Sequence, residues 1–167
     1  KEGGSSAVAM GYLNAREGNP YYLMSITSSH IATPLTSNIG LDYSSFTPIA
    51  RIGIDPELLV VNTSKGYETL DDLKAEDRML NVGGTAAGSI EHIVTMQLAE
   101  KTGMELNFIP FQGDGEVVTA LLSNQIDFAI ANPGPVGDYL SNDTFKALAI
   151  SPEERIDNLP DVPTFAE

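Results

Sequence analysis

Met79-Leu-Asn-Val-Gly-Gly-Thr-Ala-Ala-Gly-Ser-Ile-Glu-His-Ile93 is the stretch whose reading decides how this chain folds. Leu80 and Val82 alternate as in a short strand. Gly83, Gly84 and Gly88 then break the pattern, which predicts a glycine-rich turn with backbone angles that a side chain forbids. Ser89 is placed to cap a helix running to about Lys101, with Gly103 as its stop. Ile90, Ile93, Val94 and Leu98 fall on one face of that helix. A strand, a tight turn and a helix start gather backbone N–H groups at the positive end of the helix dipole. Carboxylates and phosphates bind there without basic side chains. The same turn also serves as a plain connection with no ligand, so the neighbouring segments decide.

Downstream, Glu105–Phe111 reads as a strand and Gln112-Gly-Asp-Gly115 as a second turn of the same kind. Val117, Val118, Leu121 and Leu122 mark the packed face of the helix after it. Ile126–Ala131 is a near-continuous apolar strand, as in a parallel sheet covered on both faces. It opens into Asn132-Pro-Gly-Pro135 and a short helix over Val136–Leu140. Phe145–Ile150 is one more strand, and Ser151–Glu167 reads as a surface connection. Upstream, Gly3-Gly4-Ser5-Ser6 leads into a helix with Ala7, Met10 and Leu13 on one face, ended by Gly18-Asn19-Pro20. Tyr21–Ile26 reads as a buried strand running into Thr27-Ser28-Ser29-His30, and Ile31–Thr47 as a short helix and a loop. Ile49–Gly53 and Leu58–Asn62 are strand-like with no helix between them, which points to a crossing between two lobes. Thr69-Leu-Asp-Asp72 has the form of a capping box and opens a short acidic helix ending near Arg78.

This alternation predicts an α/β fold with a largely parallel sheet. Right-handed crossovers place the strand-to-helix turns on one edge, where ligands of such sheets bind. Thr27–His30, Gly83–Ser89, Gln112–Gly115 and Asn132–Pro135 are rich in small polar residues and hold no Arg, Lys or Cys. Together they form a cup of hydrogen-bonding groups rather than a catalytic centre. The candidate ligand-binding residues are Thr27, Ser28, Ser29, His30, Gly84, Thr85, Ala86, Gly88, Ser89, Gly113 and Asn132. Several have a purely structural reading as well: Ser89 as a helix cap, Asn132 as a turn former before Pro133, His30 as a hydrogen-bonded loop histidine. Asp114 and Glu116 read as helix-start residues that complement the dipole. No catalytic residue is assigned. There is no Gly-x-Ser-x-Gly elbow, and neither His30 nor His92 has an evident nucleophile beside it.

Composition narrows the function further. The 167 residues fit about one domain and can bury a core. Nine basic residues against 23 acidic ones leave a net charge of −14. That disfavours nucleic acid and anionic membrane surfaces as partners. No run of about 18 apolar residues is present to span a membrane. The absence of cysteine removes disulfides and thiol chemistry, and two histidines are too few for a zinc site without carboxylate help. No cofactor and no metal are expected. Asp71, Asp72, Glu76 and Asp77 read as a solvated helix face.

With these segments in hand, a family resemblance becomes specific. The chain resembles the solute receptors of tripartite tricarboxylate transporters, the Bug family of periplasmic binding proteins. Lys1-Glu-Gly-Gly4 resembles the family's Lys-Pro-Gly-Ala-Gly-Gly segment, shortened. Tyr22–His30 resembles its strand and first-lobe ligand turn, and Asn81–His92 its second-lobe glycine turn. Ile109-Pro-Phe-Gln-Gly113 is similar to its Val-Pro-Tyr-Lys-Gly, and Gln125–Asn132 and Leu159–Glu167 complete the set in order.

The resemblance implies a type II periplasmic-binding-protein architecture, with two lobes, a hinge and a ligand in the cleft. It implies lobe 1 over residues 1–53, lobe 2 over 54–148, and 149–167 returning towards lobe 1. Such receptors are usually longer, so the first lobe is expected to be incomplete here. An incomplete lobe would expose a sheet edge and favour self-association. The implied function is that of a periplasmic or otherwise extracytoplasmic receptor, secreted or lipid-anchored, and not an enzyme. It would bind a small organic acid or related metabolite and deliver it to membrane permease subunits. Gln112 stands where the family often has Lys, and Ala86-Ala87 where it has a more polar Gly-Asn pair, which implies a less charged or more apolar ligand. The alternative is an effector-sensing domain of a transcriptional regulator with the same architecture. The charge of −14 gives no support for DNA contact in this portion.

Overall fold

The computed structural model describes residues 6–167. The Lys1–Gly4 segment that carries part of the family resemblance lies outside the described residues. The chain divides into two compact units, Lys1–Ile52 and Gly53–Glu167, and each is taken by itself.

Among the described residues of the first unit, the α-helices are α1 (Ala7–Asn14) and α2 (Ser29–Thr36). Met10 of α1 is fully buried, as are His30 and Thr33 of α2 to within a few per cent. Arg16 lies over the Tyr12 ring at 3.5 Å and near the Tyr22 ring at 5.1 Å. Two expected strands do not form. Tyr21–Ile26 and Ile49–Gly53 are irregular, and Tyr21, Leu23, Ile49 and Ile52 are largely exposed. A strand needs a ladder partner for its backbone groups, and none of the described residues pairs with either segment. His30 sits in the first turn of α2 rather than in a loop.

The second unit contains β1 (Leu58–Asn62), α3 (Leu70–Lys74), β2 (Leu80–Thr85), α4 (Ile90–Thr102), β3 (Leu106–Phe111), α5 (Asp114–Leu122), β4 (Phe128–Ala131), α6 (Pro133–Ser141) and β5 (Phe145–Ile150). The strands form one sheet in the order β3-β2-β4-β1-β5. β2 runs parallel to both β3 and β4, but β1 is antiparallel to β4 and to β5. The sheet is therefore mixed, with β1 alone reversed. An apolar run buried on both faces, such as Leu58–Val61, reads the same in either direction, which is why its direction was not predicted.

Period-two alternation sends side chains to the two faces. Leu58, Val60, Ala129 and Ala131 pack beneath α5 and α6 with Val117, Leu121 and Val136. Leu59, Val61, Phe128 and Ile130 pack on the other face with Leu73 of α3 and Leu98 of α4. At the amino end of β4, Asp127 accepts bonds from Arg78 at 2.9 Å, Lys65 at 2.8 Å and the Asn81 N–H at 2.8 Å. Residues 151–167 fold back on this unit, where the Ile150 N–H bonds the Pro163 carbonyl and Thr164 bridges Ile150.

Candidate functional site

Because β2, β3 and β4 are parallel, their carboxyl ends share one edge of the sheet. Three helices start there. Ser89 caps α4 by accepting from the His92 N–H, Gly113 is the N-cap of α5, and Pro133 fills the first turn of α6, where a missing N–H does no harm. The reversal of β1 brings its amino end to the same edge. Glu57, just before β1, is thereby placed beside Asn132 and Ser151: Asn132 Nδ2 donates to Glu57 Oε1 at 3.1 Å, and the Glu57 N–H donates to Ser151 Oγ at 3.0 Å.

The glycine turn is built differently from its sequence reading. Gly83 and Gly84 lie inside β2, and neither has a positive φ. They are required for close packing. A Cβ on Gly83 would sit 2.5 Å from Ile126 Cδ1, and one on Gly84 would sit 2.7 Å from Glu91 Cβ. The left-handed positions are Ala86, at φ 47°, and Gly88, at φ 84°. The buried face of α4 is Glu91, Thr95 and Leu98, with Val94 partly buried, whereas Ile93 is exposed.

The second unit brings together Gly84, Thr85, Ala86, Gly88, Ser89, Gly113 and Asn132 at this edge. Several of their groups are already engaged. The Ala86 N–H bonds the Phe111 carbonyl at 3.2 Å, and the Gly88 N–H donates to His92 Nδ1 at 3.0 Å. The His92 ring is stacked on Phe108. Thr85 Oγ1 donates to Glu91 Oε1 at 2.9 Å. The donors left open are first-turn N–H groups. Among the described residues, no capping bond takes those of Ile90 and Glu91 in α4 or of Asp114 and Gly115 in α5.

Thr27, Ser28, Ser29 and His30 belong to the first unit. The Thr27 N–H donates to His30 Nδ1 at 3.1 Å, and Thr27 and Ser28 are exposed. The side chain of Ser29 lies outside what the structure describes. Among the described residues, no group of three or more His, Cys, Asp or Glu is placed to hold a metal ion.

Two buried acids near this edge were not singled out in the sequence: Glu57 and Glu91. Both are buried, at 5% and 6% exposure, and each keeps one Oε2 with no hydrogen-bond partner among the described residues. Burial, and then the neighbouring Glu91 charge, pushes the Glu57 carboxyl up to about 7, against the lowering effect of the Asn132 bond. Asp55 and Asp114 add to the upward push. One signal in the sequence was available. Glu91, Thr95 and Leu98 stand at i, i+4 and i+7, a helix stripe that carries a carboxylate inward. A shallow cavity of about 640 Å³ lies nearby, lined by Ile54, Pro56, Pro133, Leu140, Ile156 and Leu159 among others. None of the predicted site residues lines it.

An α/β sheet with helix starts gathered on one edge is the architecture of periplasmic solute-binding proteins, and solved structures of that class match the whole chain. A solute-binding protein from Polaromonas, solved without ligand, superposes with a TM-score of 0.85 at 26% identity, covering 99% of this chain and 58% of that one. An R. palustris protein with adipate gives a TM-score of 0.82 at 25% identity over the same shares. The profile described as "Tripartite tricarboxylate transporter family receptor" matches residues 1–167, and the chain belongs to that family. Protein BugT of Bordetella pertussis is 30% identical over 152 residues, which are 87% of this chain and 47% of BugT. The chain spans about half the length of that curated relative.

Proposed function

We propose that the protein is an extracytoplasmic solute receptor. In this reading it binds a small carboxylate-type ligand in a cleft between two lobes and delivers it to the membrane permease subunits of a tripartite tricarboxylate-type transporter. Residues 1–53 would contribute to lobe 1, 54–148 would form lobe 2, and 149–167 would return towards lobe 1. The periplasm is the compartment that fits this role. Among the described residues, no helix is long and apolar enough to cross a membrane.

The observation that carries the reading is the shared edge of β2, β3 and β4, where α4, α5 and α6 all begin. A carboxylate placed there meets N–H donors at positive helix ends, so a chain of net charge −14 can hold an anion without a lysine or arginine in the site. In lobe 2 the contacting residues would be Gly84, Thr85, Ala86, Gly88, Ser89, Gly113 and Asn132. Thr27, Ser28, Ser29 and His30 would face the ligand from lobe 1. The family is a receptor family, and the arrangement of small polar groups supports binding rather than turnover.

A thermal-shift screen of the full-length protein against mono-, di- and tricarboxylates, amino acids and aromatic acids tests this. A ligand at about 100 times its Kd stabilises a receptor by about 2.7 kcal/mol, a readily measured rise in Tm. A rise with one class of acid is expected; no rise with any acid would overturn the reading.

A further inference from the structure

The two histidines of the chain make the same bond in two different turns. In the second unit, His92 stands in the first turn of α4 and reaches back to the residues before it: its Nδ1 accepts the Gly88 N–H at 3.0 Å. Ser89 Oγ accepts the His92 N–H in return, at 3.4 Å. The arrangement is a capping box with an imidazole in place of the usual Glu or Gln, reaching one residue further back. The ring is fixed by its stack on Phe108 of β3, with centroids 4.4 Å apart and planes 13° from parallel. In the first unit, His30 stands in the first turn of α2, and its Nδ1 accepts the Thr27 N–H at 3.1 Å. His30 is buried, and its Nε2 has no hydrogen-bond partner among the described residues.

A backbone N–H donates to Nδ1 only where that nitrogen carries a lone pair, so each ring is neutral with its proton on Nε2. Protonation puts a second N–H at Nδ1, where it points at the N–H of Gly88 or Thr27, and the bond is lost. It also puts a positive charge in the first turn of a helix, where the dipole opposes it. Among the described residues, neither ring is ion-paired with a carboxylate. β2, β3 and β4, on which α4 packs, carry no titratable side chain. Glu91, beside His92 on α4, is buried with its Oε1 held by Thr85. α1, which packs on α2, carries Tyr12, and Arg16 lies over the Tyr12 ring.

We propose that His92 and His30 are positioning residues whose neutral rings hold the Ala86–Ser89 and Thr27–Ser29 turns, and that protonating the rings releases both turns. Imidazole changes charge between about pH 5 and 8, so the turns are held near neutrality and loosen in acid. His92 thereby fixes the left-handed Gly88, at φ 84°, against the start of α4. The consequence for a solute rests on the receptor reading above: where both turns grip the ligand, acid weakens the grip from each unit. The two bonds themselves do not depend on that reading.

Nuclear magnetic resonance of the full-length protein tests this with no ligand added. At about pH 7.5 the ring nitrogens of both histidines should report the Nε2-protonated tautomer, and the Gly88 and Thr27 amides should be protected from hydrogen exchange. At about pH 5 both protections should fall about fivefold or more after correction for the intrinsic exchange rate, in keeping with one hydrogen bond lost at each turn. His92→Asn keeps an uncharged acceptor at the place of Nδ1, so Gly88 should stay protected at both pH values. His92→Phe keeps the stack on Phe108 without the acceptor, so Gly88 should be poorly protected at both. Equal protection of either amide at the two pH values in the unsubstituted chain overturns the inference, as does a ring protonated at Nδ1 near neutrality. Both readings come from the unsubstituted chain, so they decide the matter even where a variant does not fold, and they leave the receptor reading standing. Failure of every acid to raise Tm overturns the receptor reading and leaves these two bonds as they are.

Discussion

Gly84 has no side chain because Glu91 and Phe108 occupy the space where one would go. Gly84→Ala should therefore lower stability by about 1–3 kcal/mol through overpacking, read as a lower urea midpoint with an unchanged slope. An unchanged midpoint would mean that the Glu91 side chain moves freely. Glu57 makes a prediction about pH. Its carboxyl is raised from 4.5 to about 7 in the fold, so the folded state binds this proton more tightly than the unfolded chain. Stability from this group is present at low pH and is lost as pH rises from about 4.5 to 7. Glu57→Gln should flatten the stability curve in that window and raise Tm above it, measured by calorimetry across a pH series. A steeper loss in the variant would contradict the burial of this carboxyl. Glu57 did not stand out in the sequence. Gly84 was read as a turn glycine and proved to be a packing glycine in β2, and Glu91 was masked by the apolar pattern of Ile90, Ile93 and Val94.

Element boundaries were legible wherever the signal was local. The Ser89 cap and the Gly103 stop of α4 follow from side-chain and backbone chemistry within a few residues, and Phe145–Ile150 is β5 as expected. The Thr69–Asp72 capping box is present, with the Thr69 N–H donating to Asp72 Oδ2 at 2.8 Å. Direction and pairing were not legible, because they depend on partners far along the chain. The reversal of β1 and the irregular backbone of Tyr21–Ile26 are both of this kind. Ser89→Ala should cost α4 about 1 kcal/mol of cap stability. If Ser89 also contacts the ligand, its affinity per folded molecule falls as well; unchanged affinity assigns it to the cap alone. At the opposite edge, burial would raise the Asp127 carboxyl, but bonds from Arg78, Lys65 and the Asn81 N–H outweigh it and hold it at about 2. That contribution is present above about pH 4 and is lost as pH falls towards 2. Asp127→Asn should flatten this acid limb in pH-dependent denaturation; an unchanged limb would mean that the ion pairs add nothing.

At the scale of the molecule, charge is sorted along the strands. Lys65 and Arg78 meet Asp127 at the amino end of β4, while Glu57 and Glu91 stand at the carboxyl end with no base paired to them among the described residues. The carboxyl edge therefore gathers the starts of α4, α5 and α6 near two buried acids. The family was legible from motif order alone, since the glycine turn, the Ile109–Gly113 segment and the Gln125–Asn132 strand recur at family spacing. The burial of Glu57 and Glu91 was not, because it depends on packing by residues far along the chain. The measurement that bears most directly on the receptor reading is a crystal structure of the full-length protein with the acid that raises its Tm most. We expect density for the acid at the carboxyl edge, its carboxylate within hydrogen-bond reach of the first-turn N–H groups of α4 or α5. Ligand density confined to the cavity beside α6 lined by Ile54, Leu140 and Leu159, with the starts of α4 and α5 empty, would contradict the assignment of the site.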